Sequence, residues 1–348
     1  MKLVPIKSQS TPPIAVKQGR RVTQAEKNPF PYSDDNKRYY TYNYYLKREF
    51  GKKCAKIPLD AGFTCPNIDG RVGYGGCIYC SGGSFAKLVS SPLPIGVQYE
   101  QGIEKISKKW DTDKLIPYLQ AYSNTYTTPE NLQALLEEVA SLRNAVMVDI
   151  ATRADCLDNE IVSVLDKMSE KIPITVELGL QSSNDETAKI INRGHDFDTF
   201  VRGFKLLREK APRVKIGIHI INGLPTEGAA EMINTVKDVA ALHPDLVKIH
   251  LLHVIRGTVL GKMYSEGKYV PMDRDEYIKI VCDQIELLPP DVVIERVTGD
   301  GIESELLAPE WSRKKVTVIN DLDKELYRRD TYQGKKYFDT FPDAASPD

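Results

Sequence analysis

The feature that most restricts this chain is a repeat of short, almost unbroken apolar runs separated by amphipathic helical segments. The runs at Ala55–Asp60, Leu115–Tyr122, Ala145–Thr152, Ile174–Leu180, Lys215–Ile221 and Val247–Val254 are near-continuous in apolar residues, as expected of parallel strands covered on both faces. Between them, Val97–Lys109, Pro129–Ser141, Asn159–Ser169, Phe197–Lys210 and Ala229–Leu242 carry apolar residues at helical spacing, which marks helices with one buried side. Pro129 falls near a helix start, where its fixed φ fits. Repeated βα units with right-handed crossovers build a parallel sheet, so the expected fold is α/β, a partial (β/α)6 TIM-like barrel rather than an open doubly wound sheet.

After Val254 the rhythm changes. A helix near Asp273–Leu287 and a strand at Val292–Thr298 precede charged and aromatic sequence with Trp311, Tyr327, Tyr332 and Tyr337, read as a C-terminal α/β extension packed on the barrel. The expected divisions are a flexible basic tail over 1–40, the barrel over 41–258 and the extension over 259–348. The tail has eight Lys and Arg against three Asp and Glu, a surplus of +5, with five prolines. Such a segment buries too little apolar surface to fold alone.

The 348 residues carry 47 Lys and Arg against 48 Asp and Glu. A net charge of −1 gives no global attraction to nucleic acid or anionic membrane, so any basic surface is local. No apolar stretch approaches the ~20 residues of a spanning helix and no h-region follows Met1, so the chain is expected to be cytoplasmic and soluble, with no membrane partner. Six cysteines in a chain this long argue against a disulfide scaffold. Four of them, Cys54, Cys65, Cys77 and Cys80, lie within 27 residues, and clustered thiols in a reducing compartment point to metal.

Three of these thiols share one loop, Gly62 to Cys80, directly after the first expected strand. That is the C-terminal mouth where β/α barrels carry their chemistry. Cys77 and Cys80 have CxxC spacing, eleven residues separate Cys65 from Cys77, and five glycines from Gly62 to Gly76 let the backbone wrap closely around a bulky inorganic centre. Three thiolates leave one iron of a [4Fe-4S] cluster open to a further ligand. A closed structural zinc site needs a fourth ligand, and Cys54 lies before the strand, at the wrong end for it. Inert buried cysteines rarely gather on one glycine-rich loop.

At these residues the chain resembles the radical SAM enzymes, in which three cysteines ligate a [4Fe-4S] cluster and S-adenosylmethionine (SAM) chelates the fourth iron. The Cx11Cx2C spacing is similar to that of the Elongator catalytic subunit and its bacterial relatives. The segments Val176–Ser182, Ile191–Phe197, His219–Gly228 and Lys248–His253 with Gly257-Thr258 look like the YhcC/YtqA-type proteins over about residues 40–325. The acetyltransferase domain of Elongator subunits has no counterpart here. The resemblance implies that Cys65, Cys77 and Cys80 hold the cluster, that an electron from a donor such as flavodoxin or ferredoxin cleaves SAM, and that the resulting 5′-deoxyadenosyl radical abstracts hydrogen from substrate. It also implies tRNA as a partner, with the wobble uridine side chain as target; the basic tail and Arg313-Lys314-Lys315 give phosphate contacts a modest basis. A small metabolite or a protein side chain as substrate is the rival reading, and a non-catalytic iron-sulfur protein another.

Further SAM contacts are expected at strand ends. Ser123 and Asn124 follow the second strand, where the family places a polar turn against the methionine amino group. Arg153, with Asp155, ends the third strand. Glu177 lies within an apolar strand and needs a partner, either a SAM ribose hydroxyl or a buried arginine such as Arg193. Gln181 ends the same strand. Asn222 and Gly223 end the fifth, where glycine lets a backbone approach flat adenine. His250 and His253 are expected on opposite faces of one strand, so that at most one joins the cavity, and His195 begins a loop as a polar contact. Cys54, Cys156 and Cys282 are expected to be dispensable for the cluster.

Overall fold

The protein is described here from a computed structural model that covers residues 30–32, 36–80, 93–299 and 303–342. Most of the expected basic tail, residues 1–29 and 33–35, lies outside the described residues. The chain opens with helix α1 (Tyr42–Phe50), capped by the Thr41 hydroxyl and ended by Gly51 at φ +74°, a left-handed value that glycine adopts without strain.

From there strands and helices alternate as the periodicity requires. They run β1 (Ala55–Leu59), α2 (Ile95–Ser107), β2 (Leu115–Leu119), α3 (Pro129–Ala140), β3 (Val148–Thr152), α4 (Asn159–Ser169), β4 (Ile174–Gln181), α5 (Asp185–Ile190), α6 (Phe197–Lys210), β5 (Lys215–Asn222), α7 (Ala229–Leu242) and β6 (Leu246–Leu251). The helix starts follow from local chemistry. Thr128, Asp158 and Asp196 each accept a hydrogen bond from a backbone N–H of the first turn, satisfying donors that have no partner within the helix.

All six strands pair in parallel and in sequence order, and a seventh continues them. That seventh strand, β8 (Val293–Arg296), pairs in parallel with β6. The segment expected to belong to a separate extension is therefore part of the barrel sheet, because sheet membership is set by which edge a strand reaches and not by chain order. Preceding it are β7 (Val254–Ile255), α8 (Val259–Ser265) and α9 (Arg274–Leu287); following it are β9 (Leu306–Ala308), α10 (Lys315–Arg328) and α11 (Tyr337–Thr340). β7 pairs only with β9, antiparallel. The expected long sixth strand thus ends at Leu251.

The sheet curls into a half-barrel with β1 and β8 as its two edges, which are linked by side chains and by the segment before α1. Lys56 on β1 pairs with Glu295 on β8, and Ile294 N–H donates to Tyr40 O at 2.8 Å. Aliphatic side chains from all seven strands and the covering helices form one core. A second cluster, Phe30, Tyr40, Tyr45, Leu46, Cys54 and Met147 among others, closes the end at which the strands begin; burying each such aromatic contributes on the order of 2 kcal/mol.

Candidate active site

At the opposite end, where the strands finish, lies a cavity of about 360 Å³. Its floor is ionic. Lys56 Nζ sits 2.5 Å from Asp149 and 2.9 Å from Glu177 and also pairs with Glu295, while Lys248 Nζ lies 2.5 Å from Glu177 and 2.9 Å from Glu295. Tyr118 donates to Glu177 at 2.6 Å, and His219 Nε2 stands 3.0 Å from the same oxygen. Each apolar strand bar β2 and β5 therefore buries one charge in the barrel interior, and the charges neutralise one another.

Burial works against every charge in this network, so the partners decide the outcome. Three carboxylates hold Lys56 above the usual lysine range despite its desolvation. Burial together with Arg296 and Lys56 lowers Lys248 despite two carboxylates. Glu177 is desolvated too, yet Lys248, Lys56 and His219 keep it well below the ordinary carboxylate range. Burial dominates at Asp149 and raises its carboxyl to about 6.

Cys65, Cys77 and Cys80 all border the cavity. The loop that carries them is fixed by its own backbone: Cys65 O accepts from Ile68 N–H at 2.8 Å, Cys80 N–H donates to Cys77 O at 2.9 Å, and Ile78 N–H donates to Ile191 O at 3.0 Å. Asn67 Nδ2 donates to Asn192 O at 2.5 Å and approaches Cys77 Sγ at 3.8 Å. Asn67 thus ties the loop to the residues after β4. Gly194 admits this contact, since a side chain there would strike the Asn67 amide. Among the described residues no three His, Cys, Asp or Glu side chains converge on a point that holds a single metal ion. A cluster in which each thiolate takes a different iron makes no such demand. Three thiols on one loop at the cavity suit a centre of that kind. Cys54, the other zinc candidate, is buried with Phe30 and Tyr40 at the far end, where burial pushes its thiol up to about 11. Cys156 and Cys282 are buried and pushed up to about 12, and neither borders the cavity.

The polar residues expected at the strand ends separate into two groups. Ser123, Arg153, Glu177 and Gln181 border the cavity. Arg153 is held from both sides, with Nε and Nη2 each donating to Asp155 at 2.8 Å and Nη1 to Arg193 O at 2.9 Å; Asp155 sustains its charge against burial. Gln181 has φ +77° and Tyr122, at the end of β2, has φ +59°, left-handed values costly for residues with a side chain. Glu177 does not pair with Arg193, whose guanidinium donates instead to Gly179 O. Both Glu177 oxygens are engaged by lysines, Tyr118 and His219, which supply the partners its burial requires.

Asn124, Asn222 and Gly223 do not border the cavity. The Asn124 amide donates to Leu119 O, Ala121 O and Ala151 O at 2.9–3.1 Å, which pins the turn that presents Ser123. Asn222 exchanges two 2.8 Å hydrogen bonds with Gln284 of α9. Strand alternation explains it: His219 and Ile221 face the cavity, so Asn222 faces the helices. Gly223 is at φ +84°, and Met272 and Tyr269 lie on the side where a Cβ would stand. His250 and His253 both border the cavity, because β6 ends before His253 and alternation no longer governs it. His195 does not border it; burial and Arg193 lower its ring to about 4. Sequence reasoning missed Lys248, His219 and Arg296 as cavity residues, although a polar residue inside each apolar run was the available signal.

Residues 70–239 match the family described as the Radical SAM superfamily, and residues 244–328 the Radical_SAM C-terminal domain. YtqA of Bacillus subtilis is 42% identical over 313 residues, covering 89% of this chain and 96% of YtqA. YhcC of Escherichia coli is 32% identical over 282 residues, covering 81% and 90%. A tRNA uridine(34) acetyltransferase of Methanocaldococcus infernus is 31% identical over 170 residues, which is 47% of this chain and 30% of that enzyme. Among solved structures, the archaeal Methanocaldococcus infernus Elp3 with an N-terminal deletion shares the fold, with a TM-score of 0.60 at 18% identity over 85% of this chain and 68% of that one. Among the described residues no helix is long and apolar enough to cross a membrane. Similarity that runs nearly end to end along YtqA and YhcC makes the chain a radical SAM enzyme of their branch, whose cofactors are a [4Fe-4S] cluster and SAM.

Proposed function

We propose that Cys65, Cys77 and Cys80 hold the cluster, that Ser123, Arg153 and Gln181 contact SAM, and that the substrate is a wobble-uridine side chain in tRNA. The observation that carries the first two parts is that all six residues border one cavity. When bound, cluster and SAM supply one-electron cleavage of SAM and hydrogen abstraction from substrate. The chain's own residues do the rest. Arg153, fixed by Asp155 beside the Cys65 loop, offsets the negative charge that three thiolates bring. The left-handed turns at Tyr122 and Gln181 aim their neighbours into the cavity. The paired floor keeps charge from migrating and water from entering below.

The tRNA reading is supported by the likeness to a tRNA uridine(34) acetyltransferase over the shared 170 residues and by the Arg313-Lys314-Lys315 run. An external electron donor such as flavodoxin or ferredoxin is part of the same reading, as is a cytoplasmic setting, where six thiols stay reduced. Reconstituted protein with dithionite and SAM is expected to release 5′-deoxyadenosine, and the triple Cys65, Cys77, Cys80→Ala variant none. Equal release from both removes the ligand assignment. Nucleosides from tRNA of deletion cells are expected to lack one wobble modification, and an unchanged profile removes the tRNA substrate.

A further inference from the structure

Of the cations that border the cavity, Lys248 is engaged by carboxylates, Arg153 by Asp155 and Arg193 by Gly179 O. Arg296 borders it too and makes no hydrogen bond or ion pair with a described residue. A bulge puts it there. In β8, Ile294 pairs with Val247 and Arg296 with Lys248, so Glu295 is an extra residue. The irregularity lets two consecutive side chains turn inward, Glu295 to the lysines and Arg296 to the cavity, which a regular strand forbids. The register partner of Arg296 is Lys248, and like charges directly opposite are unfavourable. Beside them His250 borders the same space, with Nε2 buried and without a hydrogen-bond partner.

We propose that Arg296 and His250 form a subsite for a small anionic group on the substrate, a carboxylate or a phosphate. The inference rests on the reading of this cavity as the reaction site. The half-buried Arg296 guanidinium faces the cavity with donors that no described residue fills, and an anion would fill them. Its planar fork presents two parallel N–H groups to two oxygens. His250 adds a third contact as a neutral ring, since burial, then His219 and Arg296, hold it well below its ordinary range. The rival owner of the site is the carboxylate of SAM itself.

Arginine-directed labelling with phenylglyoxal, read by peptide mass spectrometry on the reconstituted holoenzyme with SAM present, tests this directly. Acetate or inorganic phosphate at tens of millimolar is expected to slow labelling of Arg296 by about fivefold or more, with exposed Arg202 unchanged as internal reference. Stronger protection by acetate identifies a carboxylate, and stronger protection by phosphate a phosphate ester. Full protection by SAM alone gives the arginine to SAM, and no protection by either anion leaves no subsite; either result overturns the proposal. The rise in melting temperature that the protecting anion gives wild-type protein is expected to vanish in Arg296→Gln, and its persistence there also overturns it. If wild-type protein releases no 5′-deoxyadenosine, the proposed function fails, while the labelling result still reads the subsite by itself.

Discussion

The floor and the mouth of the half-barrel are built from the same strands and follow opposite rules. On the floor, two lysines and three carboxylates pair with one another, Tyr118 and His219 complete the set, and Asp149 Oδ1 is the exception, buried without a partner. At the mouth, Tyr122 and Gln181 hold left-handed backbone, Asn67 Oδ1 and Arg193 Nε are buried without hydrogen bonds, and Arg296 makes no ion pair with a described residue. Polarity that is satisfied holds the barrel together. Polarity left over at the mouth, with strain beside it, is what a ligand would complete.

Four changes break or sharpen that contrast. The largest effect is expected from Lys248→Met, which leaves Glu177 and Glu295 short of a cation; truncating one partner of such a buried network costs about 3–5 kcal/mol, seen as a lower midpoint in urea. A cost under about 1 kcal/mol would place the network among ordinary surface pairs. Next comes pH. Because the folded Asp149 carboxyl is raised to about 6, the folded state holds its proton where an unfolded aspartate, near pH 4, has lost it. Its contribution is full below about pH 4 and declines as pH rises through 6, by up to about 3 kcal/mol. Asp149→Asn is therefore expected to flatten that part of the stability curve, and an unaltered slope would assign the proton elsewhere.

Asn222→Ala is expected to cost about 1–3 kcal/mol, because it strands the buried Gln284 amide. SAM cleavage per folded molecule should stay at the wild-type level; a selective loss of SAM affinity would return Asn222 to the site. The smallest effect belongs to Gln181→Gly. Glycine accepts φ +77° freely, so the variant is expected to gain up to about 1 kcal/mol in thermal unfolding while binding SAM more weakly. Lower stability would show that the Gln181 side chain holds the mouth together.

The interiors of the elements were legible in the sequence and their destinations less so. α4, α6 and α7 match the expected helices residue for residue, since caps and apolar period are local signals. β8 was found as a strand but assigned to the wrong layer, because no local signal states which edge it joins. Glu177 was legible as a buried carboxylate that needs a partner. Its partners come from β1 and β6, and only a chain already folded in thought brings Lys56 and Lys248 to it. The three cysteines share a loop and so declared themselves by spacing. Asn222 and Gly223 lie outside the cavity lining, because strand-end position does not set orientation, and Asn222 turns to Gln284 instead.

The pair Lys56 and Glu295 has a bearing on how the molecule is made. The two residues are 239 positions apart, and the Ile294 bond to Tyr40 spans a similar distance. During synthesis, at 5–20 residues per second, Lys56 emerges many seconds before Glu295 exists. Until then β6 keeps the open edge that β8 will cover, and Lys56 lacks one of its three carboxylates. Completion of the seven-stranded sheet therefore waits for roughly the last sixth of the message, and a chain that stops after β6 lacks both the strand and the carboxylate that complete it.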